Sequence, residues 1–280
     1  MKVALLFLAL SCSAVTLPGQ TPFSTDDALK QLYHEYDPAT KTAQWVCTLE
    51  QKSEGMHEGW PCTPEDATVS VSVILAEKVL EGAATKFYIA TSAKPANDPG
   101  GEYNCHGCRP AVGADVFAWR GQRWDLESAS AAIEFSGGWG EPPTVDLIAV
   151  GPQKHGLLLS SGDLGQGFQS SFKQLLIPLG KSVEVVWGIQ DGGDDTGAID
   201  PDDTADSPPF YQSSATIRFL PGKGDAESAS DYFNIEVVSR GTSLQDDGHH
   251  LSPENWTEIY TFKVSVLSFP LDRCESGRKA

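Results

Sequence analysis

Residues 115–128 have the sequence DVFAWRGQRWDLES, which predicts a β-hairpin. The segments Asp115–Trp119 and Trp124–Ser128 are short and rich in aromatic residues, and Arg120–Arg123 between them has the composition of a compact turn. The two strands of a hairpin pair antiparallel, so this stretch favours an antiparallel sheet.

Other segments of the chain have the same character. From Thr68 to Leu75, the residues Val69, Val71 and Val73 alternate with serines, which is the period of a half-buried strand. Further short strands, most of them bounded by glycine or proline, are predicted over residues 43–49, 86–92, 145–150, 156–161, 183–189, 214–220, 231–238 and 257–267.

One helix is predicted near the N-terminus. It covers Thr25–Tyr36, begins after the capping residue Ser24 and is stopped by Pro38. The segment Phe168–Leu179 is ambiguous between helix and strand, because its apolar residues have helical spacing but Pro178 would end any helix.

The distribution of these elements predicts the fold class and the regions of the chain. Many short strands, 27 glycines and 18 prolines argue against a doubly wound α/β fold. We predict an all-β protein, with an antiparallel sandwich or barrel-like core, one N-terminal helix and Gly/Pro-rich turns. The regions are a signal peptide (1–14), a main β domain (24–190), an acidic loop or linker (191–209), a C-terminal β hairpin region (210–270) and a tail (271–280).

The charge balance limits the partners of the protein. The chain has 20 Lys and Arg against 38 Asp and Glu, a formal net charge of −18. This balance opposes nucleic acids and anionic membranes, because phosphate groups would be repelled. We also predict no transmembrane segment, because no apolar run is long enough to span a bilayer as a helix.

The N-terminal residues predict export from the cytoplasm. Lys2 precedes a short apolar run, and small residues follow it, which is typical of a secretory signal with cleavage after Ala14. The alternative is a bacterial lipoprotein signal with Cys12 as the acylated residue, which the bulky Leu10 disfavours. Both readings predict an extracytoplasmic protein of the bacterial periplasm, cell envelope or secreted fraction.

Five cysteines remain after the predicted cleavage site, in a compartment where disulfides persist. Cys47 and Cys62 would close a short loop. Cys105 and Cys108 pair with each other, or one of them pairs with Cys274. The sequence leaves both alternatives open.

The motif Cys105–Arg109, with the sequence CHGCR, has several chemical interpretations. Covalent haem attachment needs a histidine after the second cysteine, where this chain has Arg109. A structural zinc site needs a second pair of ligands. Thiol–disulfide exchange is a candidate, since His106 and Arg109 would lower a thiol pKa, but Pro110 disfavours the helix that usually follows such a site. A structural disulfide that pins a loop is the favoured interpretation.

A longer pattern surrounds this motif. Cys-His-x-Cys-x-Pro-x-(Val/Ile)-Gly-Ala, followed by a Phe, a Gly-x-x-Trp turn and an Asp-Asp-Thr-Gly loop, resembles a pattern in uncharacterised secreted bacterial proteins. The resemblance covers the middle third of the chain and implies a cell-envelope origin but no activity. The matching residues are Cys105, His106, Cys108, Pro110, Val112, Gly113, Ala114, Phe117, Gly121, Trp124 and Asp194–Gly197.

The acidic segment that contains this last loop is a candidate calcium site. The residues with the spacing of a calcium loop include Asp194, Thr196, Asp200 and Asp203, but its first position is Gly192 instead of Asp. A solvated acidic loop is the alternative. Calcium is the only cofactor that the sequence suggests.

Three hypotheses for function follow, and no catalytic residue is assigned. We favour a non-enzymatic module that binds a protein or a small molecule at an aromatic surface of Trp119, Trp124 and Trp139, with His106 and Arg109 beside it. The first alternative is a thiol redox or metal-handling protein centred on Cys105–Cys108. The second is a hydrolase that uses the carboxylates of Glu134 and Glu141.

Overall fold

The computed structural model describes residues 23–47, 61–62, 68–98, 101–198, 210–221, 232–244, 250–262 and 275–279. The predicted signal peptide (1–14) and the alternative lipid anchor at Cys12 lie outside these residues. So does Cys274.

The described residues contain one helix, α1 (Thr25–Leu32), and fifteen strands. The strands are β1 (His34–Asp37), β2 (Thr42–Val46), β3 (Thr68–Glu81), β4 (Ala84–Pro95), β5 (Ala111–Arg120), β6 (Arg123–Phe135), β7 (Thr144–Gly151), β8 (Lys154–Gly165), β9 (Phe168–Leu179), β10 (Ser182–Asp194), β11 (Gln212–Leu220), β12 (Asn234–Leu244), β13 (Leu251–Pro253), β14 (Trp256–Thr261) and β15 (Glu275–Lys279).

The strands form two antiparallel sheets. Strands β1 to β6 make the first sheet in chain order, and the second has the order β15-β14-β12-β11-β10-β9-β8-β7, with β13 paired to β12. Most neighbours in space are also neighbours in sequence, as in a β-meander. The prediction of an all-β protein with one N-terminal helix is confirmed, and the arrangement is sandwich-like and not a closed barrel.

An apolar core lies between the two sheets. It includes Tyr88, Val112 and Val116 of the first sheet and Leu157 and Leu176 of the second, all of them buried. A backbone hydrogen bond joins the sheets near the start of β10, where the amide of residue 129 donates to the carbonyl of residue 181 at 3.0 Å. Burial of these side chains is the main force that holds the sheets together.

Helix α1 covers the outer face of the first sheet. Ser24 and Asp27 form a capping box at its N-terminus. Leu29 packs on Val69 and Val71, next to the disulfide between Cys47 and Cys62, which is buried in the same cluster. The valine face predicted from the alternation in β3 is therefore a core face.

The ambiguous segment Phe168–Leu179 is a strand, β9, so its helical alternative is wrong. It pairs with β8 on one side and β10 on the other. Its neighbours Leu175 and Leu176 pack into different clusters, one on each face of the sheet. Two flanking strands provide backbone partners, and this tertiary context outweighs the helical spacing.

The C-terminal part has more strand than the sequence predicts. Strand β13 lies in a region predicted to be a polar loop, and β15 lies in the predicted tail, where it pairs with β14.

The chain passes from one sheet to the other at residues 136–143, and β10 pairs with β11 across the acidic segment. The domain boundaries at 190 and 210 stay predictions.

Candidate functional site

The four cysteines that the structure describes form two disulfides. Cys105 pairs with Cys108, with Cα atoms 5.0 Å apart, and Cys47 pairs with Cys62. The first bridge closes the loop between β4 and β5, in which the amide of Cys108 also donates to the carbonyl of Cys105 at 2.9 Å. Of the two alternatives for Cys105 and Cys108, the local pairing is present.

Glycines allow this loop to pack against the rest of the protein. Gly140 has a φ of 72°, and a Cβ there would lie 2.0 Å from the carbonyl oxygen of Tyr103. A Cβ on Gly165, at the end of β8, would lie 2.8 Å from Nε2 of His106. The loop is therefore held between the turn at residues 137–140 and the β8–β9 connection.

A polar cluster forms where the loop meets β8. His106 Nε2 lies 2.8 Å from Oδ1 of Asp163, and an Arg109 nitrogen lies 3.6 Å from the other carboxylate oxygen. The ring of Trp139 meets the His106 ring edge-on, with centroids 5.4 Å apart. The motif that stood out in the sequence is thus anchored to a carboxylate more than fifty residues further along the chain.

A groove of about 380 Å³ opens beside this cluster, a size within the usual range of small-molecule sites. It lies between the end of β6 and strands β8 to β10. The lining residues include two acids, two bases, two amides and an aromatic ring: Glu134, Asp163, Arg109, Lys173, Gln174, Gln190 and Phe172.

The groove is the polar continuation of the core between the sheets. Along β8, positions 157 and 159 are buried leucines, and the same face continues with Ser161 and Asp163 in the groove. The change from apolar to polar side chains at alternate positions of one strand was a signal in the sequence. Because polar strand residues usually face solvent, this change by itself does not identify a groove.

The three tryptophans of the predicted aromatic surface do not lie together. Trp119 and Trp124 are 5.5 Å apart, and Trp124 stacks on Phe23 at 5.4 Å, so both belong to the packing of the hairpin end. Trp139 lies beyond the opposite end of β5, and the length of this strand separates it from Trp119 by roughly 27 Å. It is 50% exposed, and the exposed side chains of Leu164 and Phe168 occur at the same end of the sandwich.

The acidic segment is partly described. One Asp194 carboxylate oxygen accepts hydrogen bonds from the backbone and hydroxyl of Thr196, so it closes a local turn. Asp200 and Asp203 lie outside the described residues. Within the part of the chain that the structure describes, no group of three or more His, Cys, Asp and Glu side chains is arranged to hold a metal ion. The calcium site stays a prediction.

The carboxylates of the hydrolase hypothesis are not brought together in the groove. Glu134 lines it, but the side chain of Glu141 is 78% exposed and pairs with Lys94 at 3.3 Å. The acid that shares the groove with Glu134 is Asp163, which the sequence did not single out.

The fold and this site define a two-sheet antiparallel β protein with a groove bounded by a disulfide loop. Among the described residues, no helix has the length and apolarity needed to cross a membrane. In comparisons with known proteins, no family model, curated protein or solved structure gave a significant match. The chemistry of the site is therefore the basis for a functional proposal.

Proposed function

We propose that the protein is an extracytoplasmic, non-enzymatic binding protein whose ligand site is the groove beside the Cys105–Cys108 loop. The observation that carries the proposal is the convergence of the disulfide loop, the Trp139 turn and strand β8 around a cavity of about 380 Å³. Two disulfides support an oxidising compartment, because such bonds persist mainly outside the cytoplasm.

The lining of the groove favours a neutral, hydroxyl-rich ligand such as a saccharide. The Asp163 carboxylate is already paired with His106 and Arg109, and the other acid of the lining, Glu134, can accept hydrogen bonds from sugar hydroxyls. Gln174 and Gln190 each present donors and acceptors, which match the dual character of a sugar hydroxyl. Phe172 inside the groove provides an apolar surface for the carbon face of a sugar ring, and half-exposed Trp139 lies against the ring of His106, which pairs with the groove residue Asp163.

The test is calorimetric titration of the full chain with neutral hexasaccharides of glucose, N-acetylglucosamine and xylose. The double variant Gln174→Ala/Gln190→Ala is expected to bind the preferred sugar about thirtyfold more weakly, because two lost hydrogen bonds of about 1 kcal/mol each add to about 2 kcal/mol. Gln169→Ala is the matched control, because Gln169 is exposed on the same strand as Gln174 and does not line the groove. Absence of saturable binding to the wild type, or equal weakening by the control, refutes the proposal.

The second candidate function is thiol–disulfide exchange at Cys105–Cys108. Cys108 is buried while Cys105 is partly exposed, so only the first sulfur is open to attack by a thiolate. Arg109 supplies positive charge that would stabilise a thiolate. This asymmetry of exposure is the observation that favours the candidate.

Differential alkylation of the folded protein in glutathione buffers separates the two functions. For a binding protein we expect both disulfides to stay oxidised. The variant Cys105→Ala/Cys108→Ala should lose about 2 kcal/mol of unfolding free energy, the chain-entropy value for so short a loop. Selective labelling of Cys105, with the buried Cys47–Cys62 bridge intact as the internal control, would instead assign a redox function. Unchanged stability of the double variant, together with lost thiol reactivity, would contradict a structural role of the Cys105–Cys108 bridge.

A further inference from the structure

The face of the second sheet that lines the groove continues beyond it, toward the turn between β8 and β9. Side chains alternate along a strand, so Phe168 and Ser170 lie on the same face of β9 as the groove residues Phe172 and Gln174. The register between β8 and β9 is continuous along both strands, and it pairs Phe168 with Gly165. The ring of Phe168 is therefore on the groove side of the sheet.

A second aromatic ring stands on this face, above the neighbouring strand. Gly193 of β10 pairs with Ser170, which places it on the groove side. A Cβ on Gly193 would lie 3.0 Å from the side-chain nitrogen of the groove residue Gln190 and 3.5 Å from a ring carbon of Tyr211. The Tyr211 ring therefore lies over Gly193 and close to Gln190. Its backbone amide donates to the carboxylate of buried Asp195 at 2.8 Å, which fixes the residue at this position.

These residues form a shelf next to the groove: Phe168, Ser170, Gly193 and Tyr211. The two rings stand on either side of two small residues, and Phe168 is 49% exposed. Burial, together with the charges of two neighbouring aspartates, raises the pKa of the Tyr211 hydroxyl, so this group keeps its proton at neutral pH and can donate as well as accept. The shelf thus combines aromatic faces with uncharged hydroxyl groups, the same chemistry that the groove offers to a sugar.

The shelf makes the surface longer than a small sugar. Phe168 and Phe172 are four residues apart on one strand, which corresponds to roughly 14 Å. The two linked rings of a disaccharide are too close together to stack on both phenylalanines, whereas a longer chain can do so. His106, which lies over Gly165, borders this path on the side of β8, and Tyr211 borders it on the side of β11.

We propose that the ligand is a neutral oligosaccharide of more than two units, with one end in the groove and the following units on the shelf, where Phe168 and Tyr211 stack on them. This inference rests on the proposed function, because the groove supplies the first contacts. Once the groove holds one end of the chain, the contacts on the shelf need little further loss of translational and rotational freedom. Affinity should therefore rise with the length of the chain.

The experiment is calorimetric titration of the full chain with disaccharides, tetrasaccharides and hexasaccharides of glucose, N-acetylglucosamine and xylose. We expect the wild type to bind the hexasaccharide of the preferred sugar about tenfold more tightly than its disaccharide. Phe168→Ala should weaken binding of the hexasaccharide about tenfold and leave that of the disaccharide unchanged, because only the longer chain reaches the shelf. Tyr211→Ala is a second variant with the same expected direction. By contrast, Gln174→Ala/Gln190→Ala should weaken both sugars.

Leu164→Ala is the matched control for Phe168→Ala. Leu164 is 57% exposed in the same hairpin, but the alternation of β8 places it on the opposite face of the sheet, so its loss should leave the affinity for every length unchanged. Equal affinity of the wild type for all lengths, or equal effects of Phe168→Ala and Leu164→Ala, overturns this inference and leaves the groove as the sugar site. Absence of binding at every length overturns the inference together with the proposed function.

Discussion

Asp115→Asn is expected to stabilise the protein increasingly as the pH rises. Relative to the wild type, the free energy of unfolding of the variant should increase by about 5 kcal/mol between pH 4 and pH 8. This value follows from about 1.4 kcal/mol for each pH unit over which the folded and unfolded states differ by one bound proton.

The reason is the position of the Asp115 carboxyl group. It is 2% exposed on β5, and one of its oxygens has no hydrogen-bond partner within the described part of the chain. Burial raises its pKa to about 8. The nearby hydroxyl of Tyr33 is engaged with Thr91 at 3.2 Å, and burial raises the pKa of Tyr33 as well.

The sign follows from the two states of the protein. An unfolded Asp loses its proton near pH 4, with an ordinary pKa of about 3.9, while the folded protein keeps it up to about pH 8. Between these values the folded state binds one more proton, so the stability of the wild type falls as the pH rises. The asparagine side chain of the variant would bind no proton in either state.

Urea unfolding of both proteins at five pH values between 4 and 8 measures this difference. Asp146→Asn, at an exposed position on β7, is the matched control and should show a constant difference from the wild type. A difference between Asp115→Asn and the wild type that does not change with pH would mean that Asp115 is ionised inside the folded protein.

Glu81→Gln is expected to destabilise the protein by about 3 kcal/mol at pH 7, the lower end of the cost of breaking a buried ion pair. Glu81 at the end of β3 binds the backbone amide and ring of His155 at the start of β8, so it links the two sheets. Glutamine keeps the shape but removes one of the two carboxylates that bind the Lys86 ammonium, the other being Glu127. The amide nitrogen of this glutamine would also face hydrogen-bond donors of Tyr88, His155 or Lys86.

This stabilisation should disappear in acid. Burial by itself raises the pKa of Glu81, but hydrogen bonds from Tyr88 and Lys86 and the charge of Lys86 outweigh it and lower the pKa below its ordinary value. A carboxylate with a lowered pKa stabilises fully above the pKa of the unfolded state, about 4.3, and loses this effect as the pH falls through the folded value.

Denaturant unfolding at pH 7 and pH 3 provides the measurement. Glu77→Gln, an exposed position on the same strand, is the matched control and should change the stability by less than about 0.5 kcal/mol. If Glu81→Gln costs no more than this control, or if its cost is the same at both pH values, the carboxylate does not link the sheets in the way its contacts indicate.

The local features of the protein were predictable from its sequence. Alternation in residues 69–73 identified a strand with one buried face, and the turn at Arg120–Arg123 identified a hairpin. The short spacing of Cys105 and Cys108 suggested the disulfide between them as one of two alternatives, and this disulfide is present. These features depend on the period of a strand, on turn chemistry and on short loops, all of which act within about fifteen residues.

Long-range packing decided the rest. No local pattern indicated that Asp163 would meet His106, that Glu81 would bind His155, or that Asp115 would be buried near Tyr33. A polar residue in a strand has the same local pattern whether it faces solvent, a groove or a second sheet. Only the stacking of the two sheets assigns each face, so the position of the groove and the raised pKa of Asp115 are properties of the tertiary structure.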